Sequence, residues 1–495
     1  MTGLRRSFAF SFVERYATSL INLGMTAALA RLVSPDEIGV FVIGGTIILL
    51  GEILRDFGAS SYLIQAQGIT TEGVRTTFTV TFALSAFIVG LVLGTAEPIA
   101  AFYGDARLAI VLRIATAGFM LGAFINPILS LLRREMAFDR IALINIIGGC
   151  TNGATAIGLA MAGFGYRSLA LAYVASTIAV LGVALAFRPA MTTFWPGFAD
   201  WRNVFAFGGY ASATAVINNL YLAWPQLVLA RILGFDAVGI FSRATMLVQM
   251  PERSLLSALQ PVLLPAFARE VRAGGDLSGA YLHGISLATA VQWPFLTSLA
   301  ILAEPVVAIV LGPAWMEAAP IVRLLALGSM SLFGAFLTYP VLVALGRIKD
   351  TLTASLIVLP PSALIVTVAA FHSLEAVAAS LFVTAPLQMI VSFIVIRRHM
   401  PFSWGALVER LARSAFVTAG ASAAPLALSI VGGFTPHPGA LALAGAVAGS
   451  AIGWLAALSA TRHPLLELLS APKSILNLVR TRLERLPIRL NQLTD

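Results

Sequence analysis

Charged residues are scarce in this chain. They make up 11% of its 495 residues, whereas 58% are hydrophobic, and a soluble globular protein carries roughly 25% charged residues. The mean hydropathy of +0.90 reflects the same imbalance. Apolar segments of about 20 residues recur, and each is long enough to cross a hydrocarbon core of about 30 Å as a helix. The composition therefore excludes a soluble protein and predicts a polytopic membrane protein.

Cysteine is almost absent. The single cysteine, Cys150, lies inside an apolar segment, which excludes a disulfide framework and a cysteine-based metal site. The five histidines are scattered and none has metal-ligand spacing, so we expect no metal and no resident cofactor. The net charge of +9 comes from residues between apolar segments and in the tail, so we expect no nucleic acid as a partner.

Long polar loops are also missing, because the connections between apolar segments are short and none would form an independent soluble domain. A membrane polymerase or ligase for lipid-linked glycans is expected to need a sizeable outer loop that holds acid, base or Arg groups. The sequence therefore disfavours an enzyme. The first apolar segment, residues 8–30, is too long for a signal peptide and contains Glu14 and Arg15, which predicts a retained first helix.

What the sequence does contain is a series of apolar spans, and we predict an all-α fold with about fourteen transmembrane helices. The predicted spans are 8–30, 40–64, 77–96, 109–132, 141–163, 168–187, 204–230, 238–263, 281–303, 318–345, 351–371, 375–396, 411–432 and 439–460. Residues 462–495 form a basic, amphipathic tail, for which a helix on the anionic inner leaflet is one interpretation and a solvated tail the other.

The positions of Lys and Arg predict the orientation. With the N-terminus in the cytoplasm, 22 of the 32 Lys and Arg residues fall on the cytoplasmic side, five in outer loops and five within spans. An odd number of spans would place the basic tail outside, against the positive-inside rule. We therefore predict that both termini are cytoplasmic.

A repeat relates the two halves of the chain. The segment ARLVSPDEIGVF (30–41) resembles ARILGFDAVGIF (230–241) at an offset of 200. Both copies begin on the same side of the membrane, so the halves are predicted to be parallel repeats, an arrangement that in transporters places the substrate site between them. We expect an N-terminal lobe at 1–200 (spans 1–6), a C-terminal lobe at 201–400 (spans 7–12) and two added helices at 401–461.

Three stretches resemble one transporter family. LARLVSPDEIGVF (29–41), the segment 239–271, which runs through several prolines to a polar end, and LGPAWMEAAPIVRLLAL (311–327) are similar to motifs of the polysaccharide transporter family. This family comprises the oligosaccharide-lipid flippases of the multidrug/oligosaccharidyl-lipid/polysaccharide exporter superfamily. With the fourteen spans, the resemblance covers essentially the whole chain. These motifs do not indicate which glycan is carried.

The resemblance implies a flippase in the bacterial inner membrane. Its expected substrate is an oligosaccharide linked to undecaprenyl diphosphate, moved outward for exopolysaccharide, capsule or O-antigen synthesis. Expected partners are membrane lipids and the polysaccharide polymerase and chain-length or export proteins. The implied mechanism is alternating access of two lobes around a charged cavity, with Na⁺ or H⁺ as the coupling ion.

Ionisable side chains inside the spans are the candidate site residues, because each costs at least about 2.5–3.5 kcal/mol near the bilayer centre. Arginines that can pair with a diphosphate and amides that can bind sugars form the substrate-binding set: Arg15, Asn22, Arg55, Asn218, Asn219, Arg243 and Arg253. The carboxylates form the charge-balancing or ion-coupling set: Glu14, Glu52, Asp56 and Glu252. The alternative is that these residues form structural ion pairs within each lobe.

Two other transporters stay open at this point. A cation-coupled multidrug exporter would need acidic residues in an aromatic cavity, whereas the arginines favour an anionic substrate. A lipid II flippase is not distinguished by composition. We also expect Gly445, Gly449 and Gly453 to permit close helix packing. Trp315 is expected to anchor the chain at the outer interface of the membrane that it crosses.

Overall fold

The fold is α-helical. The computed structural model describes residues 21–56, 58–65, 70–187, 191–199, 201–252, 267–273, 275–431 and 440–466, and these contain no β-strand. The helices of the first half are α1 (21–29), α2 (Pro35–Asp56), α3 (Ala59–Gln65), α4 (Thr71–Tyr103), α5 (Arg107–Arg134), α6 (Phe138–Met161) and α7 (Tyr166–Phe187). Those of the second half are α8 (Trp201–Ile232), α9 (Phe235–Val248), α10 (267–273), α11 (Leu277–Ile301), α12 (Ala303–Val310), α13 (Ala318–Ser329), α14 (Phe333–Phe336), α15 (Thr338–Ala344), α16 (Ile348–Ala370), α17 (Leu374–Ala379) and α18 (Leu381–His399). Two further helices follow, α19 (Trp404–Val431) and α20 (Ala440–Ala460).

Eleven helices in the described part of the chain are long and apolar enough to cross a membrane. A membrane protein of helices is therefore confirmed, whereas the number fourteen is not. Predicted spans 1 and 8 extend into residues outside the described ranges, and span 7 corresponds to the 32-residue helix α8. The tail beyond residue 466 also lies outside the described residues.

Several predicted spans are interrupted. Span 2 ends at Asp56, and α3 begins after Gly58, whose φ of 70° lies in the left-handed region that favours glycine. Span 10 is divided between α13, α14 and α15, with a 3-10 turn at Met330–Leu332. Span 12 is divided at Ser380, between α17 and α18. Apolar composition continues through the breaks in spans 10 and 12, so hydropathy does not reveal these two.

The helices pack as two groups. In the first half, α5 packs against α2, α4 and α7, and α6 packs against α7; we call α1–α7 the N-lobe. In the second half, α13 packs against α9, α11, α17 and α18, while α16 packs against α8 and α18; we call α8–α18 the C-lobe. The added helices α19 and α20 pack on each other, and α19 covers α11.

The added pair is held by small residues. A Cβ on Gly453 would overlap the carbonyl oxygen of Gly420, and a Cβ on Gly449 would press on the Ala424 side chain. Gly445, by contrast, has no atom of another element within 4 Å of its Cβ position. The expectation of close packing therefore holds for Gly449 and Gly453 and is wrong for Gly445, which lies beyond the point where α19 and α20 touch.

The lobes meet with an internal two-fold relation. A Cβ on Gly39 of α2 would overlap the carbonyl oxygen of Phe235, and a Cβ on Gly239 of α9 would overlap that of Pro35. Residues 35 and 39 thus exchange contacts with residues 235 and 239, each 200 positions away. These reciprocal contacts place a pseudo-two-fold axis between the two helices, and the repeat read from the sequence lies on that axis.

Candidate functional site

The predicted site residues divide into four groups in the structure. The amides Asn22, Asn218 and Asn219 lie on α1 and α8, and Glu252 follows α9. Glu14, Arg15 and Arg253 lie outside the described residues. Glu52, Arg55 and Asp56 lie within the N-lobe. Arg243 lies beside the seam between the lobes, on α9.

Arg55 is buried inside the N-lobe, with 4% of its surface exposed. Its Nη1 donates a 2.6 Å hydrogen bond to the Phe119 carbonyl on α5, and its guanidinium carbon lies 4.6 Å from the centre of the Phe119 ring. Gly122, one turn further along α5, leaves the space that the guanidinium fills. In this conformation Arg55 therefore joins α2 to α5.

The neighbouring carboxylates also have partners in the N-lobe. Tyr173 of α7 donates a 2.8 Å hydrogen bond from its hydroxyl to Glu52. Ser60 of α3 donates to Asp56. The three charged residues share one face of α2, but their hydrogen-bond partners lie on three different helices, α5, α7 and α3. Sequence reasoning missed Tyr173 and Phe119, although a tyrosine inside an apolar span is itself a signal for a buried polar partner.

The seam between the lobes is lined by a symmetric set of polar contacts. The Thr26 hydroxyl of α1 lies 3.5 Å from Met246 Sδ on α9, and the Thr46 hydroxyl of α2 lies 3.4 Å from Gln226 Oε1 on α8. Thr26 and Gln226, like Thr46 and Met246, are 200 positions apart, so the two contacts are related by the same pseudo-two-fold axis. Sequence reasoning missed all four residues. The offset of 200 relates the two contacts to each other but does not predict either of them.

Arg243 stands beside this seam with few partners. Its Nη1 lies 4.0 Å from Met246 Sδ, the atom that Thr26 of the opposite lobe also contacts. Its Nε is buried and has no hydrogen-bond acceptor. Within the described ranges, no carboxylate forms an ion pair with Arg243. The side chain can therefore offer a charged, planar donor group to an anion that enters between the lobes.

The polar amides lie elsewhere on α1 and α8. Asn22 and Asn218 are exposed, and Asn219 is half-buried and already has a partner. Glu252 is exposed and also has a partner. Among the described side chains, no three of the His, Cys, Asp or Glu type are grouped closely enough to hold a metal ion.

A second charged group lies where α4 is connected to α5. This end of the molecule, which also holds the turn between α1 and α2, is called the loop end. Arg107 at the start of α5 binds Asp36 of α2 at 2.6 Å and Asp105 at 2.5 Å. Partial burial raises the pKa of Asp105, but the hydrogen bonds and the charge of Arg107 outweigh it and hold that pKa below its ordinary value. Asp105 therefore stays ionised and fixes Arg107 on Asp36.

Trp315 is buried between the two lobes. Its side chain has no exposed area, and its Nε1 donates a 2.7 Å hydrogen bond to the Ala30 carbonyl of the N-lobe. The expectation of an interfacial anchor was wrong, because the 3-10 turn Pro313–Trp315 directs the ring between the lobes.

Comparison with known proteins decides the family. Residues 28–320, more than half of the chain, match the family model described as polysaccharide biosynthesis protein. The chain belongs to this family. The matched region includes α2, α9, Trp315 and Arg243, so the seam and the loop-end contacts fall inside the part that the family model covers.

Relatives within the family carry transport and polysaccharide names. The succinoglycan biosynthesis transport protein ExoT of Rhizobium meliloti (strain 1021) is 26% identical over 68% of each chain. The lipopolysaccharide biosynthesis protein WzxC of Escherichia coli (strain K12) is 24% identical over 62% of this chain and 63% of its own. The matches thus span about two thirds of these relatives.

Two solved structures share the fold of this family member. The lipid II flippase MurJ in an inward closed conformation has a TM-score of 0.76 at 12% identity, over 93% of this chain and 100% of its own. A multidrug resistance MATE family transporter in an inward-facing conformation has a TM-score of 0.64 at 17% identity, over 80% and 99%. At these identities the likeness concerns the fold alone.

Proposed function

We propose that this protein is a flippase that moves an undecaprenyl-diphosphate-linked oligosaccharide from the cytoplasmic to the outer leaflet of the bacterial inner membrane. The translocated glycan would serve exopolysaccharide, capsule or O-antigen synthesis. The observation that carries the proposal is Arg243, an interior arginine without a carboxylate partner among the described residues, at the seam of two lobes related by a pseudo-two-fold axis.

An unpaired arginine at such a place has a cost that an anionic ligand would offset. A buried cation without a partner is disfavoured in a low-dielectric setting. A diphosphate supplies several acceptor oxygens, and a guanidinium can bind two of them at once. We therefore assign binding of the diphosphate to Arg243. Binding of the sugars is assigned to the hydroxyl and amide side chains at the seam. The names of the relatives, which concern succinoglycan and lipopolysaccharide, support a glycan as the cargo.

We further propose that the N-lobe charges balance the site and do not bind the glycan. Arg55 is already bound to Phe119, and Glu52 to Tyr173. These contacts would keep α2 aligned with α5 and α7 while the lobes move. If the cycle is driven by Na⁺ or H⁺, the half-buried Glu52 is the carboxylate we assign to it.

We propose alternating access as the mechanism, with both termini in the cytoplasm. The two lobes meet mainly through α2, which packs against α9 and α8 of the C-lobe, and we propose that the lobes rock about the axis on which these helices lie. The excess of positive residues on one side supports the orientation.

The test is complementation of a deletion strain. Arg243→Gln removes the charge but keeps a polar side chain, and we expect a loss of surface polysaccharide of at least tenfold, with accumulation of glycan-loaded undecaprenyl diphosphate inside. Arg323→Gln is the matched control, because Arg323 is paired with Glu304 at 3.2 Å and lies away from the seam. Membrane levels of each variant are measured by immunoblotting.

Full export by Arg243→Gln at normal membrane levels would contradict the assignment of the diphosphate. Equal loss in Arg323→Gln would also contradict it, because the effect would then belong to any interior arginine. Arg55→Gln is expected to act differently, by lowering the amount of folded protein, since its hydrogen bond lies inside one lobe.

A further inference from the structure

The contacts that join the lobes at their loop end have a reciprocal form. Ala30 is the first residue of the turn that follows α1 of the N-lobe, and its carbonyl accepts a hydrogen bond from Trp315 of the C-lobe. In return, Arg31 of the N-lobe donates to the carbonyls of Ile309 at 2.6 Å and Val310 at 3.2 Å, which end α12 of the C-lobe. Each lobe thus supplies donors for a helix C-terminus of the other.

These carbonyls need external partners. The last four carbonyls of a helix have no intrahelical donor, and their partial negative charge attracts a cation. Arg31 satisfies both needs, and it also donates to the Ala27 carbonyl of its own helix at 2.6 Å. The Arg31 side chain is exposed, so water can replace it when the lobes separate, and the latch is reversible.

The second half of the repeat holds a weaker version of the same contact. Arg231, the counterpart of Arg31, places its guanidinium carbon 5.2 Å from the ring of Phe102, at the end of α4. Here the arginine again reaches across the seam to the end of a helix, but to an aromatic face and not to carbonyls. We call these contacts of Arg31 and Arg231 the two arms. The Arg231 arm is the weaker one.

We propose that Arg31 and Trp315 form a latch that holds the lobes closed at the loop end and must release in each transport cycle. The lobes also touch through the backbone contacts of Gly39 with Phe235 and of Gly239 with Pro35. Two of the three stretches that carry the family resemblance, 29–41 and 311–327, meet here. The release step rests on the proposed alternating access, whereas the latch itself is tested without substrate.

The first experiment measures opening by thiol labelling. Cys150 is replaced by serine, and Thr26→Cys is introduced as the only thiol, because Thr26 is 3% exposed and contacts the opposite lobe. A membrane-impermeant maleimide is added to sealed vesicles that expose the loop end. Trp315→Phe loses one hydrogen bond between the lobes, and we expect it to raise the labelling rate by about fivefold, the factor typical of one such loss. Arg31→Gln loses the two bonds of the Arg31 guanidinium, and we expect it to raise the rate by at least as much.

The matched controls remove similar groups at other places. Trp293→Phe removes an indole hydrogen bond of 2.9 Å to Met330 within one lobe, and is expected to leave labelling unchanged. Arg231→Gln removes the weaker arm and is expected to raise labelling by less than Arg31→Gln. Unchanged labelling in both Trp315→Phe and Arg31→Gln, or an equal rise in Trp293→Phe, would overturn the latch.

The second experiment tests whether release is needed. In the Cys150→Ser background, Arg31→Cys and Ile309→Cys are joined in cells by a bis-methanethiosulfonate reagent, which forms a disulfide with each thiol, releases methanesulfinate and is cleaved by an added reductant. We expect the link to stop polysaccharide export and its cleavage to restore export; normal export by linked protein would refute the release step. Because labelling needs no substrate, a changed rate supports the latch even if the flippase proposal fails. Conversely, a defect in Arg243→Gln with unchanged labelling in the latch variants would keep the flippase and reject the latch.

Discussion

At the residue scale, the meaning of a charge in this membrane protein depends on its partner. Arg55 and Arg243 are both interior arginines of the spans. Arg55 has a carbonyl and an aromatic ring as partners within one lobe, whereas Arg243 has a thioether at a seam. The first arrangement stabilises the lobe, and the second leaves binding capacity for a ligand. From the sequence alone, Arg55 and Arg243 are equally good candidates for binding an anionic substrate.

Glycine 39 provides the sharpest residue-scale prediction. Gly39→Ala would place a methyl group onto the Phe235 carbonyl, so α2 and α9 must move apart, and overpacking of this kind typically costs about 1–3 kcal/mol. We expect a lower midpoint of thermal unfolding in detergent and faster labelling of the Thr26→Cys reporter. Gly45→Ala on the same helix is the control, because nothing lies within 4 Å of its Cβ position. Equal midpoints for the two variants would contradict the close crossing.

The sequence predicted which residues of the site carry charge but not what they contact. Glu52, Arg55 and Asp56 were recognisable because charge is costly in an apolar span. Phe119 of α5, the partner of Arg55, is 64 positions away along the chain, and Tyr173 of α7, the partner of Glu52, is 121 positions away. No local sequence pattern connects residues so far apart. Trp315 misled for a similar reason, since tryptophan is common at membrane surfaces and its burial depends on packing against the other half.

At the element scale, the apolar segments predicted the helices because crossing a membrane requires only length and low polarity. Their interruptions were not predictable by the same rule. The 3-10 turn at Met330–Leu332 and the break at Ser380 lie in apolar sequence. What sets them is packing against neighbouring helices, which is a property of the folded lobe.

The attachment of α20 to α19 gives an element-scale prediction. Gly453→Val would force a branched side chain against the Gly420 backbone and should separate the two helices, whereas Gly445→Val meets no atom of another element within 4 Å. We expect limited proteolysis between the helices to be faster in Gly453→Val only. Equal cleavage rates in the two variants would show that the glycine contact does not hold the pair.

His463 connects the end of α20 to the C-lobe. It is 1% exposed, accepts a hydrogen bond from the Leu465 amide at Nδ1, and lies 2.9 Å from the Ser286 hydroxyl through Nε2. Because Nδ1 is the acceptor, the neutral ring carries its proton on Nε2 and donates to Ser286. Protonation would add a hydrogen to Nδ1 and break the contact with Leu465.

This arrangement predicts a dependence of stability on pH. Burial, with the charges of His283, Arg413 and Arg410, lowers the pKa of His463 to about 4 from 6.5. The unfolded chain then binds the proton more readily, so the free energy of unfolding falls as pH drops from about 6.5 to 4, and His463 adds no slope above that range. We expect the unfolding midpoint to fall more steeply between pH 7 and 5 in wild type than in His463→Asn.

His372→Asn is the matched control for that slope. His372 is exposed and lies 3.0 Å from the Val368 carbonyl of its own helix, so its replacement removes a histidine without disturbing the contact between α20 and the C-lobe. The same slope in wild type and His463→Asn would show that His463 does not couple protons to the docking of α20.

At the scale of the whole molecule, the repeat read from the sequence becomes a geometric relation between the lobes. Contacts between the lobes occur as pairs related by the offset of 200. Gly39 with Phe235 matches Gly239 with Pro35, and Thr26 with Met246 matches Thr46 with Gln226. A sequence repeat predicts such pairs once the axis is assumed, because parallel repeats about one axis bring equivalent residues to it. It does not predict where symmetry fails, as in the unequal arms of Arg31 and Arg231.

The axis makes a prediction about how two substitutions combine. Gly39→Ala and Gly239→Ala each push the same pair of helices apart, so after the first separation the second methyl group meets less resistance. We expect the loss in free energy of unfolding of the double variant to be smaller than the sum of the single losses, by about 0.5–3 kcal/mol. The control pair is Gly39→Ala with Gly453→Ala, which act at separate interfaces and should add within about 0.5 kcal/mol. Strict additivity of the 39 and 239 variants would mean that the two glycines do not share one crossing, and that the lobes are not held together on the axis that the repeat defines.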